Sequence, residues 1–491
     1  MKHIVIIGAG IGGLSAACAL ARSDANITVV EKNNHAGGKI RQSDSQLGPV
    51  DIGPTVLTMP DIFETLFQLN GETLEDYVGL IPLKILARHF WDDGATLDLH
   101  TNFDTNMSLI QEQFGHQAAQ EFYKFDKVSR DLFSCFDQPV MRASSIQPTR
   151  LLRPLLRNYH LLPFLAPKMT MSRLTQQMFS SPHLRQLFNR YTTYVGGSPS
   201  LSPSILSLIW RAESKGVFCL QNGMASLSSA LYQLASKNGV QFKFAQTVLD
   251  IQKQPHQKFS LNTSEATMTA DAIIFNGDPN ALYEGILGNY PRKAIKEKHS
   301  HPRSYSALVH GFASQTQGVK LAHHNVFFGH VRDNEFTELE NAKIPEDATL
   351  YLCAQDLGND AHEDSCESRF EIIRNAPSQM KTKLNTEEKT RWTNMTMNRF
   401  KEFGLTFSTH PSPDQTTCPS MFSQMFPGSK GALYGRSPHG MMAAFMRPAT
   451  RSTIRGLYLC GGGIHPGAGI PMASLSGQHA AQALQEDLGL T

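Results

Sequence analysis

At 491 residues, 41% apolar and 18% charged, the chain is long enough for two or three lobes around a sizeable core. Its formal net charge of +2 excludes the strong basic bias of a nucleic-acid binder. Seven cysteines at 18, 135, 219, 353, 366, 418 and 460 form no CxxC pair and are odd in number, which predicts reduced thiols in a cytoplasmic protein and no metal centre.

The chain opens on MKHIVIIGAG, which lacks the apolar length and cleavage site of a signal peptide. Residues 3–7 read as a buried strand. Ile11 to Arg22 reads as a helix with Leu14, Ala17, Cys18 and Ala21 on one face, and Asn26 to Val30 as a second strand. Between the first strand and the helix, Gly8, Gly10 and Gly13 have GxGxxG spacing. In a βαβ unit these glycines allow a tight turn, an approach of backbone to a pyrophosphate, and close helix–strand packing. Glu31 ends the second strand, near the offset of about 20 residues expected for a carboxylate that accepts from a ribose hydroxyl. The continuation EKNNHAGGK places Gly37, Gly38 and Lys39 directly after it, a second backbone approach with a cation nearby.

The middle of the chain differs in character. From Gln138 to Ala212 there are nine Lys or Arg and no Asp or Glu. Within this stretch, LLRPLLRNYHLLPFLAP (151–167) sets leucines and aromatics between arginines. Such a segment is either a basic solvated face or a surface that lies on anionic lipid with its apolar residues dipped in. No window approaches the roughly 18 apolar residues of a spanning helix. Met224 to Lys237 reads as a helix stopped by Asn238-Gly239. Residues 240–279 alternate as strands, and 300–450 is rich in strand-like runs.

The chain closes on RGLYLCGGG, a strand entering glycines, and a helix from Met472 to Asp487. The block GGGIHPGAGIP (461–471) is a second glycine loop. As an independent dinucleotide site it lacks a following strand and acid; as part of the first site, its helix would point an N-terminus at the same cofactor.

Several motifs together carry a resemblance that runs nearly end to end: VIIGAGIGGLSAA, EKNNHAGGK, DIGPTVLTMPDIFETLF (51–67), NGMASLSSAL (222–231), ADAIIFNGDP (270–279) and LYLCGGGIHPGAGIPMASLSG (457–477). The sequence resembles the bacterial and fungal-type carotenoid (phytoene) desaturases. PEDATLYLCAQD, ALYGRSPHGMMAAFMRP and HPGAGIPMA are similar to the hydroxycarotenoid 3,4-desaturase branch, and Met472 stands where phytoene desaturases usually have glycine.

The resemblance implies an α/β fold: a discontinuous Rossmann-like FAD-binding domain (1–80, 213–285, 451–491), an inserted mixed-sheet substrate domain (81–137, 286–450), and a helical, basic, membrane-facing lobe (138–212). It implies one FAD and removal of two hydrogens from a C–C bond of a long polyene. A hydride goes to the flavin, a proton leaves the neighbouring carbon, and oxygen or a quinone finally takes the electrons.

The candidate cofactor residues are Gly8, Gly10, Ile11, Gly12, Gly13, Glu31, Lys32, Gly37, Gly38, Lys39, Thr55, Val248, Gly461, Gly462, Pro471 and Met472. His465, beside the second glycine loop, is either the proton acceptor or a hydrogen-bonding partner of that turn. Met441, Met442, Phe445 and Met446, with Met421 and Met425, either line an apolar substrate channel or fill core. The expected location is the cytoplasmic face of a membrane, held peripherally. Two other functions fit the same fold: a flavin amine oxidase, and a prenyl-group binder without catalysis. The intact Gly8, Gly10, Gly13 and Glu31 favour an enzyme.

Overall fold

The computed structural model describes residues 1–330, 334–358, 367–380 and 384–490. Its first sheet follows from the alternation in Lys2–Ile7. Ile4 and Ile6 point to one face and Val5 and Ile7 to the other, and all four are buried because both faces are covered. Five strands run parallel in the order Leu457–Leu459, Ala272–Phe275, Lys2–Ile7, Ala25–Val30, Gln241–Lys243. Widely separated stretches of chain thus supply one sheet. The helices Ile11–Leu20, Ala225–Lys237 and Ile470–Leu488 pack with Ile4 and Ile6 on one face. On the other face, Val5 and Ile7 meet Ile251, Phe259 and Leu261 of an antiparallel sheet, Val248–Lys253, Phe259–Thr263, Thr267–Ala270.

A second, mixed sheet orders Leu405–Phe407, Ser306–Gly318, Glu367–Ala376, Leu350–Ala354, His324–Phe327, Ala87–Phe90 and Thr96–Leu99, with Thr416–Thr417 also pairing to Ser306–Gly318. All pairings are antiparallel except Ala87–Phe90 with His324–Phe327. One face packs Phe312, Phe327 and Phe370 against Met397 and Phe400 of the helix Thr386–Glu402. That helix stands where strand-like runs dominate the sequence. Its signal was a capping box, in which the Asn385 side chain takes the Glu388 N–H while Glu388 takes that of Asn385.

The basic stretch is helical, with Pro148–Arg157, Met171–Met178, Pro182–Asn189 and Leu208–Ser214 among its elements. The charge boundary at residue 138 is not a packing boundary. Phe103–Phe114 and His116–Phe136 precede it, and Ile110, Phe122 and Phe125 share one core with Leu174, Phe188 and Trp210. Aromatic rings interlock there: Phe125 and Phe188 centroids are 4.3 Å apart and Phe188 and Trp210 5.8 Å.

Candidate active site

A cavity of about 570 Å³ is lined by residues of both sheets and of the helical region. At one end four stretches meet: Gly8–Gly12, Glu31–Ile40, Phe275–Asp278 and Gly461–Gly463. The two glycine loops are therefore parts of one site. They approach so closely that a Cβ on Gly12 would lie 2.8 Å from the Gly461 nitrogen. Gly13 stands behind the wall, where a Cβ would come within 2.0 Å of the Gly8 carbonyl oxygen, so only glycine lets the helix Ile11–Leu20 start there. Gly10 faces less into the cavity than its motif position suggests. A Cβ there would meet Asn276 Nδ2 at 3.1 Å, and Gly10 forms a parallel bridge with Gly37, docking the GGK loop on the first turn.

Glu31 holds this junction. Its buried carboxylate takes the Ala9 N–H at 2.7 Å on Oε2, and the Asn33 N–H and Nδ2 at 2.9 and 2.7 Å on Oε1. A carboxylate offers about four acceptor positions, so one remains for an incoming hydroxyl. Lys39 extends to Leu433 O and over the Phe426 ring at 5.5 Å from its centroid. It is exposed to the cavity, yet the enclosing walls push its ammonium down to about 8, against the pull of Asp278. An anion there would raise its pKa again. Lys32 bonds Met425 O, and burial lowers its pKa too.

The helices Ile11–Leu20 and Ile470–Leu488 both begin on this wall, at Ile11 and at Ile470, adding two positive dipole ends. Two helix N-termini, a cation, a spare acceptor on Glu31 and floors without side chains suit a dinucleotide. Glu31 would hold a ribose, and Gly10–Gly12 and Lys39 phosphates; Thr55 and Ala468–Ile470 lie on the same cavity for a ring system.

A family profile described as flavin containing amine oxidoreductase matches residues 11–485. The hydroxyneurosporene desaturase of Cereibacter sphaeroides is 42% identical over 99% of this chain and 98% of its own length. The chain belongs to the carotenoid desaturases of the flavin-containing amine oxidoreductase family. A 1-hydroxycarotenoid 3,4-desaturase from a Flavobacterium species is 30% identical over 99% of both chains. Among solved structures, cyclohexylamine oxidase from Brevibacterium oxydans shares the fold, with a TM-score of 0.60 at 15% identity over 99% of both chains. As a member of this family the protein is an FAD-dependent oxidoreductase.

Within this desaturase fold, the cavity brings together Gly8, Gly10, Ile11, Gly12, Glu31, Lys32, Gly37, Gly38, Lys39, Thr55, Val248, Gly461 and Gly462. Pro471 and Met472 are not on its described wall, where Ile470 and Ala473 stand instead; Met472 packs toward Met59, Ile62 and Leu475. Of the methionines among the described residues only Met425 lines it. Met421 packs near Leu308 and Cys418, Met441 and Met446 are half-buried elsewhere, and Met442 is 55% exposed. The Phe445 side chain lies outside the described residues. The apolar wall comes from sheet and loop residues and the short helix Pro419–Met425, including Val309, Phe328, Ile373, Phe422 and Phe426.

His465 is buried and off the described cavity wall. Its Nε2 donates to Ala143 O at 2.9 Å, so that nitrogen carries a proton and is no acceptor. Burial lowers its pKa, and the ring ties the C-terminal glycine loop to the basic segment.

Two residues that sequence reasoning passed over complete the site. Asn276 Nδ2 donates to Gly8 O and Gly10 O at 3.1 and 3.3 Å, fixing the first turn from a neighbouring strand. Arg447 donates to Gly462 O at 2.8 Å and to Tyr434 O at 3.2 Å, bracing the second loop. Asn276 stood inside the quoted ADAIIFNGDP, where a polar residue ending a buried strand was the available signal.

Proposed function

We propose that the protein desaturates an acyclic polyene during carotenoid biosynthesis, forming the C3–C4 double bond of a 1-hydroxycarotenoid. The observation that carries this is one cavity that starts at dinucleotide-binding loops and continues into walls of Val309, Phe328, Ile373, Phe422 and Phe426. The names of relatives at 42% and 30% identity supply the substrate class. FAD, when bound, supplies the acceptor for a hydride. The chain's residues bind it at Glu31, Lys39 and the two glycine loops, hold the polyene against it, and keep water out with the aromatic wall. Oxygen or a membrane quinone is the expected final electron acceptor.

The same reading places the enzyme on a membrane surface, since so apolar a substrate resides in lipid. Among the described residues no helix is long and apolar enough to cross a membrane. In Pro148–Arg157 and the turn after it, Leu152, Leu156, Tyr159 and Leu162 are 54–72% exposed, although Leu151 and Leu161 are buried. Arg150, Arg153 and Arg157 are exposed on the adjoining face. A bare leucine face beside a basic one suits an anionic interface. Two of the nine basic residues are engaged elsewhere: Arg142 pairs with Asp61 and Asp137, and Arg190 is buried.

Product analysis tests the reaction. Cells accumulating a 1-hydroxylated acyclic carotenoid should gain a product two hydrogens lighter with one more conjugated double bond when this chain is expressed. Conversion of phytoene instead would move the assignment to the phytoene desaturases. Conversion of amines but of no carotenoid would overturn it.

A further inference from the structure

A hydrocarbon asks only for apolar contact, yet one patch of the cavity wall is polar. Thr55 Oγ1 lies 2.8 Å from the Tyr351 hydroxyl and 3.2 Å from Glu371 Oε2, and the Tyr351 hydroxyl lies 2.8 Å from His324 Nδ1. Thr55, Tyr351 and Glu371 all line the cavity. The four residues come from a loop and three strands, so the array depends on the assembled sheet.

Glu371 is completely buried, and burial holds its carboxyl well above the usual carboxylate range, with Thr55 and Arg41 opposing and Asp51 adding. Cys353 and Tyr434, the other ionisable groups that sense it, are kept neutral by burial as well. Burial, with His323 and Arg190 nearby, keeps His324 uncharged. Thr55 Oγ1 donates to Glu371 Oε2, and the Tyr351 hydroxyl bridges Thr55 Oγ1 and His324 Nδ1. Two atoms of the array are buried without a hydrogen-bond partner, His324 Nε2 and Glu371 Oε1, and of these only Glu371 Oε1 belongs to a residue of the described cavity wall.

We propose that Glu371 Oε1 accepts a hydrogen bond from the substrate's hydroxyl, so that the Glu371–Thr55–Tyr351–His324 array selects hydroxylated polyenes over the parent hydrocarbon. This rests on the reading of the chain as a 1-hydroxycarotenoid desaturase. In that substrate the hydroxyl-bearing carbon is two bonds from the nearer oxidised carbon. Anchoring the hydroxyl therefore also fixes which C–C bond is presented to the cofactor. A site built to bond a hydroxyl discriminates strongly against an analogue without one, because its own polar group is then left unpaired.

The test is a competition assay. FAD-loaded wild type and variants receive a 1-hydroxylated polyene and its parent hydrocarbon in the same vesicles of phosphatidylcholine and phosphatidylglycerol. FAD content and Tm are measured alongside. Glu371→Met, which keeps volume and removes both oxygens, should lower the kcat/KM ratio of hydroxylated to parent substrate about tenfold or more. Glu371→Gln, whose amide keeps a carbonyl and a donor, should retain it. Tyr351→Phe breaks the array without altering Glu371 and should lower the same ratio, which keeps the test decisive if Glu371→Met fails to fold. An unchanged ratio in Glu371→Met or Tyr351→Phe overturns the proposal. So does loss of FAD from Glu371→Met, which would assign Oε1 to the cofactor, or equal conversion of both substrates by wild type. A wild type that converts no carotenoid would instead overturn the function on which the proposal rests.

Discussion

Gly477 rests on the Gly12 carbonyl: a Cβ at Gly477 would lie 2.1 Å from that oxygen and 3.0 Å from the Ala16 nitrogen. The last long helix can approach the first only because neither side carries an atom there. The contact is reinforced three residues away on each helix, where Ser15 Oγ and Ser474 Oγ lie 2.8 Å apart.

Gly477→Ala should therefore separate the two helices whose N-termini open on the cavity. Overpacking of this kind costs about 1–3 kcal/mol. We expect a lower Tm together with reduced FAD content, read by thermal unfolding and flavin absorbance. A variant as stable and as yellow as wild type would show that the helices can slide apart freely.

Glu31→Gln keeps the shape of the junction but only one acceptor oxygen, against three internal donors and a ribose hydroxyl. Hydrogen bonds to a charged group contribute about 1.5–3 kcal/mol. FAD affinity should fall about tenfold or more, measured by titrating apoprotein with FAD. Glu31→Ala should also lower the Tm of the apoprotein, because it strands the Ala9 N–H in a buried turn.

Replacing Arg150, Arg153 and Arg157 together with Glu should weaken binding to anionic vesicles on the order of a hundredfold, at about 1 kcal/mol per basic residue lost. FAD content should not change. Leu152→Ser with Leu156→Ser should remove the part of binding that survives high salt. Unaltered co-sedimentation in both variants would leave this surface as an ordinary basic face.

His310 gives a pH dependence with a defined sign. It is completely buried, its Nδ1 contacts Thr416 Oγ1 at 3.0 Å, and burial, aided by Arg374, pushes its pKa down to about 3. Between the unfolded value near 6.5 and about 3, the unfolded chain binds the extra proton, so this residue's contribution to stability falls as pH falls. Relative to His310→Gln, wild type should lose up to about 1.4 kcal/mol per pH unit well below 6.5. Denaturant titrations of both proteins at pH 7 and pH 5 measure this. The difference cancels the buried acids such as Glu335, whose raised pKa acts in the opposite sense.

The parts of this molecule that were readable in advance are those written in local pattern. The strand Lys2–Ile7 and helix Ile11–Leu20 follow from apolar runs and glycine spacing, and Glu31 from its distance to Gly8. Residues whose role depends on a distant partner were not readable. Asn276 acts on Gly8, 268 positions away, and the His465 ring is held by Ala143, 322 positions away. The methionines of 441–446 illustrate the same limit, since composition marks a flexible apolar residue without saying which surface it faces. Charge misplaced one boundary, because a run without acids ends where its charges end, whereas the aromatic core around Phe122 and Phe188 continues across it.

The five-stranded parallel sheet has a consequence for biosynthesis. Its central strand, Lys2–Ile7, leaves the ribosome first, yet its neighbour Ala272–Phe275 follows some 270 residues later and Leu457–Leu459 later still. Sequence separations of this size make for slow closure. Until Gly461 arrives beside Gly12, the half-built sheet exposes apolar edges that invite aggregation or chaperone capture. A site that needs both Gly8–Gly12 and Gly461–Gly463 is therefore complete only after some 450 residues of intervening chain have been made.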